Sequence, residues 1–153
     1  MKITLVRHGE SGANVAGCIN DDPARPAHLT ERGKAQAESL ASSLRSELFN
    51  LAYASEFPRA MEMAAILLRH HVCQLMIDPC LNERRSGMNG LPVDTFNELV
   101  RRDPLRIKPE KGESFLEQTE RLRSFADKIA GRQPEAMVLA LSHENPIPAA
   151  LAL

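Results

Sequence analysis

The chain predicts an α/β fold: a three-layer α/β/α sandwich around a mostly parallel central sheet, shortened at the C-terminus. Three observations predict it. Short apolar runs alternate with segments whose apolar residues recur at helical spacing. The last apolar run, Ala136 to Leu141, is nearly continuous, as a central parallel strand covered on both faces must be. The first and last strands also run straight into histidines, His8 and His143. Both therefore lie at the carboxyl ends of strands, where open α/β sheets bind ligands.

Taken in order, Ile3 to Val6 is an apolar strand that leads into Arg7-His8-Gly9. The segment Asn20 to Pro26, polar and interrupted by two prolines, is irregular and is expected over the mouth of the sheet. A helix follows, with Thr30 as N-cap and Ala37, Leu40, Ala41 and Leu44 on its inner face. Leu51 to Ala54 is a short strand. Ala60, Met63, Ala64 and Leu67 mark a helix from Arg59 to about Arg69, its methionines filling core. Leu75 to Ile77 is a further strand. Leu81 to Lys111 is rich in Gly, Pro and charge and holds one helix, near Val93 to Arg101. Ser114 and Glu117 form a capping box opening a long helix. Its expected buried stripe is Leu116, Thr119, Leu122, Ala126 and Ile129.

Composition narrows the function classes. With 153 residues, no repeat and no linker, the chain is expected to form one domain, residues 1–153. The formal net charge of -1 supplies no global basic field for nucleic acid or an anionic membrane. With no Trp and one Tyr, no base-stacking platform is evident. Cys18, Cys73 and Cys80 show no zinc-like or CxxC spacing and read as free thiols of a reducing compartment. No apolar run reaches membrane-spanning length, and Arg7 and His8 break any signal-peptide pattern, so a cytoplasmic protein is expected. No ligand set for a metal and no cofactor motif is found.

Arg7, His8 and Gly9 place a guanidinium fork, an imidazole and a permissive backbone together. By themselves they make either an anion site with a reactive ring or a charged loop after an edge strand. Further motifs follow in order: Leu29-Thr30-Glu31-Arg32-Gly33 with Gln36-Ala37, Ser55-Glu56-Phe57-Pro58-Arg59-Ala60, Leu81-Asn82-Glu83, Gly112-Glu113-Ser114 and Ser142-His143. Together with Arg7-His8-Gly9-Glu10 and Asn14, they resemble the histidine phosphatase superfamily, or phosphoglycerate mutase-like proteins, of broad-specificity phosphatase type.

The resemblance implies a metal-independent phosphatase that hydrolyses phosphomonoesters of small metabolites through a phosphohistidine on His8. It implies His8, Glu83 and His143 as catalytic residues, Glu83 moving the proton of the leaving oxygen and then of water. Arg7, Asn14, Arg59 and a protonated His143 would bind the phosphoryl oxygens. Ser11 belongs to the signature and is a candidate substrate contact. Arg84 and Arg85 either hold a second anionic group of the substrate or form a solvated pair. His28, His70 and His71 read as surface or helix-end residues.

The alternatives are mutase-type phosphoryl transfer and a catalytically impaired phosphate-binding module. Family mutases carry a basic insertion between the Glu and the GES, and the interval here is short.

The chain departs from the family pattern twice. Glu144 stands where the family has Gly, and is expected to be tolerated, with a stabilising effect on cationic His143 as one reading. The sequence also stops at Leu153, inside the helix after the second histidine, so uncovered apolar surface is expected to favour a homodimer.

Overall fold

The computed structural model describes residues 1–151. Four strands form one sheet in the order β1-β4-β2-β3: β1 is Lys2–Arg7, β2 Leu51–Ala54, β3 Leu75–Ile77 and β4 Met137–Ser142. Every pairing is parallel. The helices are α1 (Gly12–Ala16), α2 (Glu31–Leu44), α3 (Pro58–Leu67), α4 (Val93–Val100), α5 (Phe115–Arg132) and α6 (Pro146–Leu151).

Alternation along the strands divides the core in two. Leu139 and Leu141 of β4, Ala52 and Ala54 of β2 and Val6 of β1 face α2 and α3, against Ala37, Ala41, Ala60, Met63 and Leu67. Val138 and Ala140, with Ile3, Leu5, Leu51 and Tyr53, face the other way onto Leu122, Phe125 and Ile129 of α5 and Ala149 of α6. β4, central and buried on both faces, is the nearly continuous apolar run of the sequence.

The register brings three strand ends together. Arg7 pairs with Ser142, and Ala54 with Leu141. The next residues, His8, His143 and Ser55, therefore emerge side by side. The His8 amide donates to the Ser142 carbonyl at 3.1 Å, and the Ser55 amide to that of Leu141 at 3.1 Å.

Two expectations need correction. Leu116 is not part of the α5 stripe: it is 48% exposed, and Gln118 and Phe125 are buried beside the expected Thr119, Leu122 and Ile129. At about 100° per residue Leu116 points nearly opposite to Gln118, and Ala126 falls at the stripe's edge, half-buried. The short helix α1 was not foreseen. Ser11 caps it, in a reciprocal box with Asn14.

The loop after β1 is locked by α2. Glu10 accepts from the Thr30 amide at 2.9 Å through its carbonyl, and its amide donates to Gln36 Oε1 at 2.8 Å. Gly33 has to be glycine here, because a Cβ would stand 2.0 Å from the Glu10 carbonyl oxygen. The Leu29-to-Ala37 motif thus acts as a clamp on the strand end that carries His8.

Candidate active site

An open cleft of about 400 Å³ lies over the joined strand ends. Arg7, His8, Ser11, Asn14, Arg59, Glu83 and Arg84 all line it. Its floor is a hydrogen-bonded unit centred on Arg59, which is only 3% exposed. Arg59 Nε donates to His8 Nε2 at 3.0 Å, and Nη2 donates to His143 Nδ1 at 3.1 Å. The two imidazoles meet edge to face, their centroids 5.0 Å apart. Phe57 lies under the Arg59 guanidinium, 4.4 Å from it, and against the His143 ring.

A guanidinium can only donate, which assigns both tautomers. His8 Nε2 accepts from Arg59, so Nδ1 carries the proton and donates to the Gly9 carbonyl at 2.6 Å. His143 Nδ1 likewise accepts, so its Nε2–H donates to Ser55 Oγ at 2.7 Å. Burial lowers the His8 pKa to about 4, with Arg59 and Arg7 adding to the shift against the raising effect of the Gly9 carbonyl. His143, fully buried, is pushed well below the usual imidazole range by desolvation, then by Arg59 and the neighbouring His8. Both rings are neutral at pH 7. In the free site His143 therefore differs from the protonated ring that was expected: burial and Arg59 disfavour its cation, and Arg59 occupies its free lone pair. Nor does His143 line the cleft; it stands behind Arg59 and orients it.

Asn14 is held by its oxygen, which accepts from the Ser11 amide at 2.9 Å and the Ser11 hydroxyl at 2.8 Å. That leaves its NH₂ as the end available to a ligand. Ser11 is fully buried and its hydroxyl is engaged in this cap, so it positions Asn14.

Glu83 sits on the opposite wall. Desolvation raises its carboxyl pKa, opposed by hydrogen bonds from the Arg84 amide and Asn145 and by the charge of Arg59. Its loop is clamped by Glu113, only 1% exposed. Glu113 takes Arg121 Nη2 at 2.6 Å and the Arg85 amide at 3.1 Å. Arg121 in turn donates to the carbonyls of Cys80 at 2.6 Å and Asn82 at 3.1 Å.

The two adjacent arginines do not face the cleft as a pair: Arg84 lines it and Arg85 does not. Arg84, 5% exposed, gives Nε to the Glu113 carbonyl and Nη2 to that of Ile107, with its guanidinium over Phe96. Arg85 lies outside the cleft lining, its exposed guanidinium on Glu113.

Four further groups were not foreseen as site residues. Asn20 accepts from Arg59 with both its side-chain and backbone oxygens. Its position in the polar segment after β1 was the only signal. Asn145 could be found only from the fold. Ser55 and Glu113 lay inside quoted motifs without an assigned role. Glu144 does not reach His143; its carboxylate is 2.7 Å from Arg7 Nη2, at the cleft wall.

The sequence pattern of the histidine phosphatase superfamily, branch 1, matches residues 3–153. The chain belongs to this superfamily.

Among curated relatives, an adenosylcobalamin/alpha-ribazole phosphatase of Escherichia coli is 28% identical over 95% of this chain and 74% of its own. Phosphoserine phosphatase 1 of Hydrogenobacter thermophilus is 28% identical over 96% and 72%. Among solved structures, the alpha-ribazole phosphatase of Shigella flexneri superposes with a TM-score of 0.85 at 28% identity, covering 99% of this chain and 78% of that one. The sheet flanked by helices on both faces is the histidine phosphatase fold, as the sequence led us to expect. Among the described residues, no group of three or more His, Cys, Asp or Glu is placed to hold a metal ion, and no helix is long and apolar enough to cross a membrane.

Proposed function

We propose that this histidine phosphatase superfamily member hydrolyses phosphomonoesters of small metabolites through a phosphohistidine intermediate on His8. One observation carries the reading: His8 is buried and neutral at the cleft floor, its Nδ1–H is tied to the Gly9 carbonyl, and its Nε2 lone pair is held by Arg59, a donor that an incoming phosphoryl group draws away.

In the first step His8 Nε2 attacks phosphorus and the bond to the leaving oxygen breaks. Arg59 exchanges His8 Nε2 and Asn20 for phosphoryl oxygens, while Arg7 and the Asn14 amide take others. Glu83, whose burial favours the protonated carboxyl, gives its proton to the leaving alkoxide. In the second step the Glu83 carboxylate takes a proton from water, the oxygen attacks phosphorus and the P–N bond breaks. Phosphate leaves, and His8 and Glu83 return to their starting forms. His143 and Ser55 hold Arg59 at its angle through both steps.

Mutase-type transfer to a second anionic metabolite has little support, since Arg85 lies outside the cleft and the Arg84 guanidinium is engaged by backbone carbonyls. The impaired-module reading is favoured by one observation, the Glu144 carboxylate on Arg7. The three free thiols fit a reducing compartment, and we place the protein in the cytoplasm.

Hydrolysis of p-nitrophenyl phosphate, with loss of about 10³-fold or more in His8→Ala, is the expected result. An acid-labile phosphoryl adduct should map to His8 by mass spectrometry. Absence of turnover in the wild-type protein would establish the impaired module.

A further inference from the structure

Glu144 raises a question of charge that the phosphatase reading leaves open. The charged groups of the cleft wall are Arg7, Arg59, Arg84, Glu83 and Glu144. Arg84 faces backbone carbonyls and Phe96 and presents almost no surface. Arg85, the other cation of the Glu83 loop, lies outside the lining. Glu83 is the proton donor. That leaves Arg7 and Arg59 against Glu144, whose side chain is 66% exposed and whose carboxylate is 2.7 Å from Arg7 Nη2.

A dianionic phosphoryl group that takes both guanidinium groups cancels their two charges. Glu144 then faces the body of the substrate with no cation of the protein to pair with. The rest of that wall is uncharged, with Asn97, Asn145, Ser86, Phe96, Val93 and Pro148. A second anion on the substrate would meet the carboxylate and no available guanidinium. A neutral body would leave the carboxylate to water. A short-chain ammonium would restore the pair that Arg7 gives up.

Resting on the reading of this cleft as a phosphomonoester site, we propose that Glu144 selects substrates whose body carries a cationic amine close to the phosphoryl group. Glu144 exchanges Arg7 for that ammonium as the phosphoryl group binds. The residue that departs from the family's glycine is thus a specificity determinant of this chain, and phosphoesters bearing a carboxylate or a second phosphate are its worst ligands.

Phosphonates test this without depending on turnover. Three share one skeleton and differ in the terminal group: 2-aminoethylphosphonate, propylphosphonate and 3-phosphonopropanoate. Calorimetric titration of the wild-type chain should rank them amine, alkyl, carboxylate, with the amine roughly five-fold tighter than the alkyl compound, as befits a partly exposed ion pair. In Glu144→Gln the amine and alkyl ligands should converge to within about two-fold, and the carboxylate ligand should gain.

Equal tightening of all three in the variant would overturn the proposal, reducing Glu144 to a competitor for Arg7. A wild-type preference for the carboxylate would overturn it too. Binding of none of the three would overturn both this proposal and the phosphatase reading. Phosphonate binding with the predicted ranking but no p-nitrophenyl phosphate turnover would sink the phosphatase reading alone.

Discussion

The floor and the outer wall of the cleft are held in different ways. The floor, with His8, His143, Ser55 and Arg59, hangs from three adjacent parallel strands and the start of α3, and its ionisable rings are buried and neutral. The wall, with Glu83, lies on a loop that touches the sheet through the Leu81 carbonyl, which accepts from Ser142 Oγ at 2.7 Å. A buried carboxylate and two arginines hold it, Glu113 with Arg121 and Arg85. Sheet register places the floor with little freedom, whereas the wall depends on charges that must stay paired. The two should therefore fail differently.

The largest effect is expected in the floor. Arg59→Met removes the donor shared by both imidazoles and, on the proposed mechanism, the main phosphoryl ligand. Hydrolysis, read as kcat/KM, should fall about 10³-fold, in line with loss of oxyanion donors in a dry site. A loss under tenfold would mean that Arg59 is only a structural bridge.

In the wall, Glu113→Ala leaves Arg121 and Arg85 without their buried partner. Stability should drop by about 3 kcal/mol in denaturant titration. Activity should fall less than in Arg59→Met, and mainly in kcat, as the Glu83 loop loosens. An unchanged denaturation midpoint would show that the ion cluster does not clamp the wall.

Acid separates the regions by sign. The folded-state pKa of His8 lies at about 4, below the 6.5 of the unfolded chain. Between those values the unfolded chain binds more protons, so stability rises with pH and is lost on acidification. His8 alone contributes about 3 kcal/mol across that window, and His143 acts in the same direction. Glu83 works in reverse: its raised pKa makes the folded state the better proton binder above pH 4.5. Denaturation midpoints measured from pH 7 to 4 should fall in the wild-type chain and fall less in His8→Gln. The same raised carboxyl should set the alkaline limb of kcat/KM, because deprotonated Glu83 cannot serve the leaving oxygen.

The smallest effect sharpens the boundary of the wall. Arg85→Ala should change KM by less than about two-fold and stability by no more than about 1 kcal/mol, since its guanidinium is exposed and outside the cleft. A large rise in KM would return Arg85 to the substrate.

These differences follow what was legible beforehand. The strand ends could be read directly, because Val6 and Leu141 close apolar runs just before His8 and Ser142-His143. The helices α2, α3 and α5 followed from spacing and from caps at Thr30 and Ser114. The error at Leu116 was one of phase, where a leucine near a helix start was counted onto the wrong face. In the wall, alternating charge and proline carry no period. Nothing marked Arg121 as the partner of Glu113, or showed that Arg84 turns inward.

The amino-acid order by itself determined the alternation of strands and helices, the side of the sheet that carries the chemistry, and the set of groups delivered there. Those properties depend on periodicity and on neighbours a few residues apart. Tertiary structure alone decided which protons those groups carry and which partners they keep. Arg59 meets His143 across 84 residues, and Glu144 meets Arg7 across 137. Such pairs exist only once the strands have aligned, and burial at their meeting point turns two ordinary histidines into neutral rings.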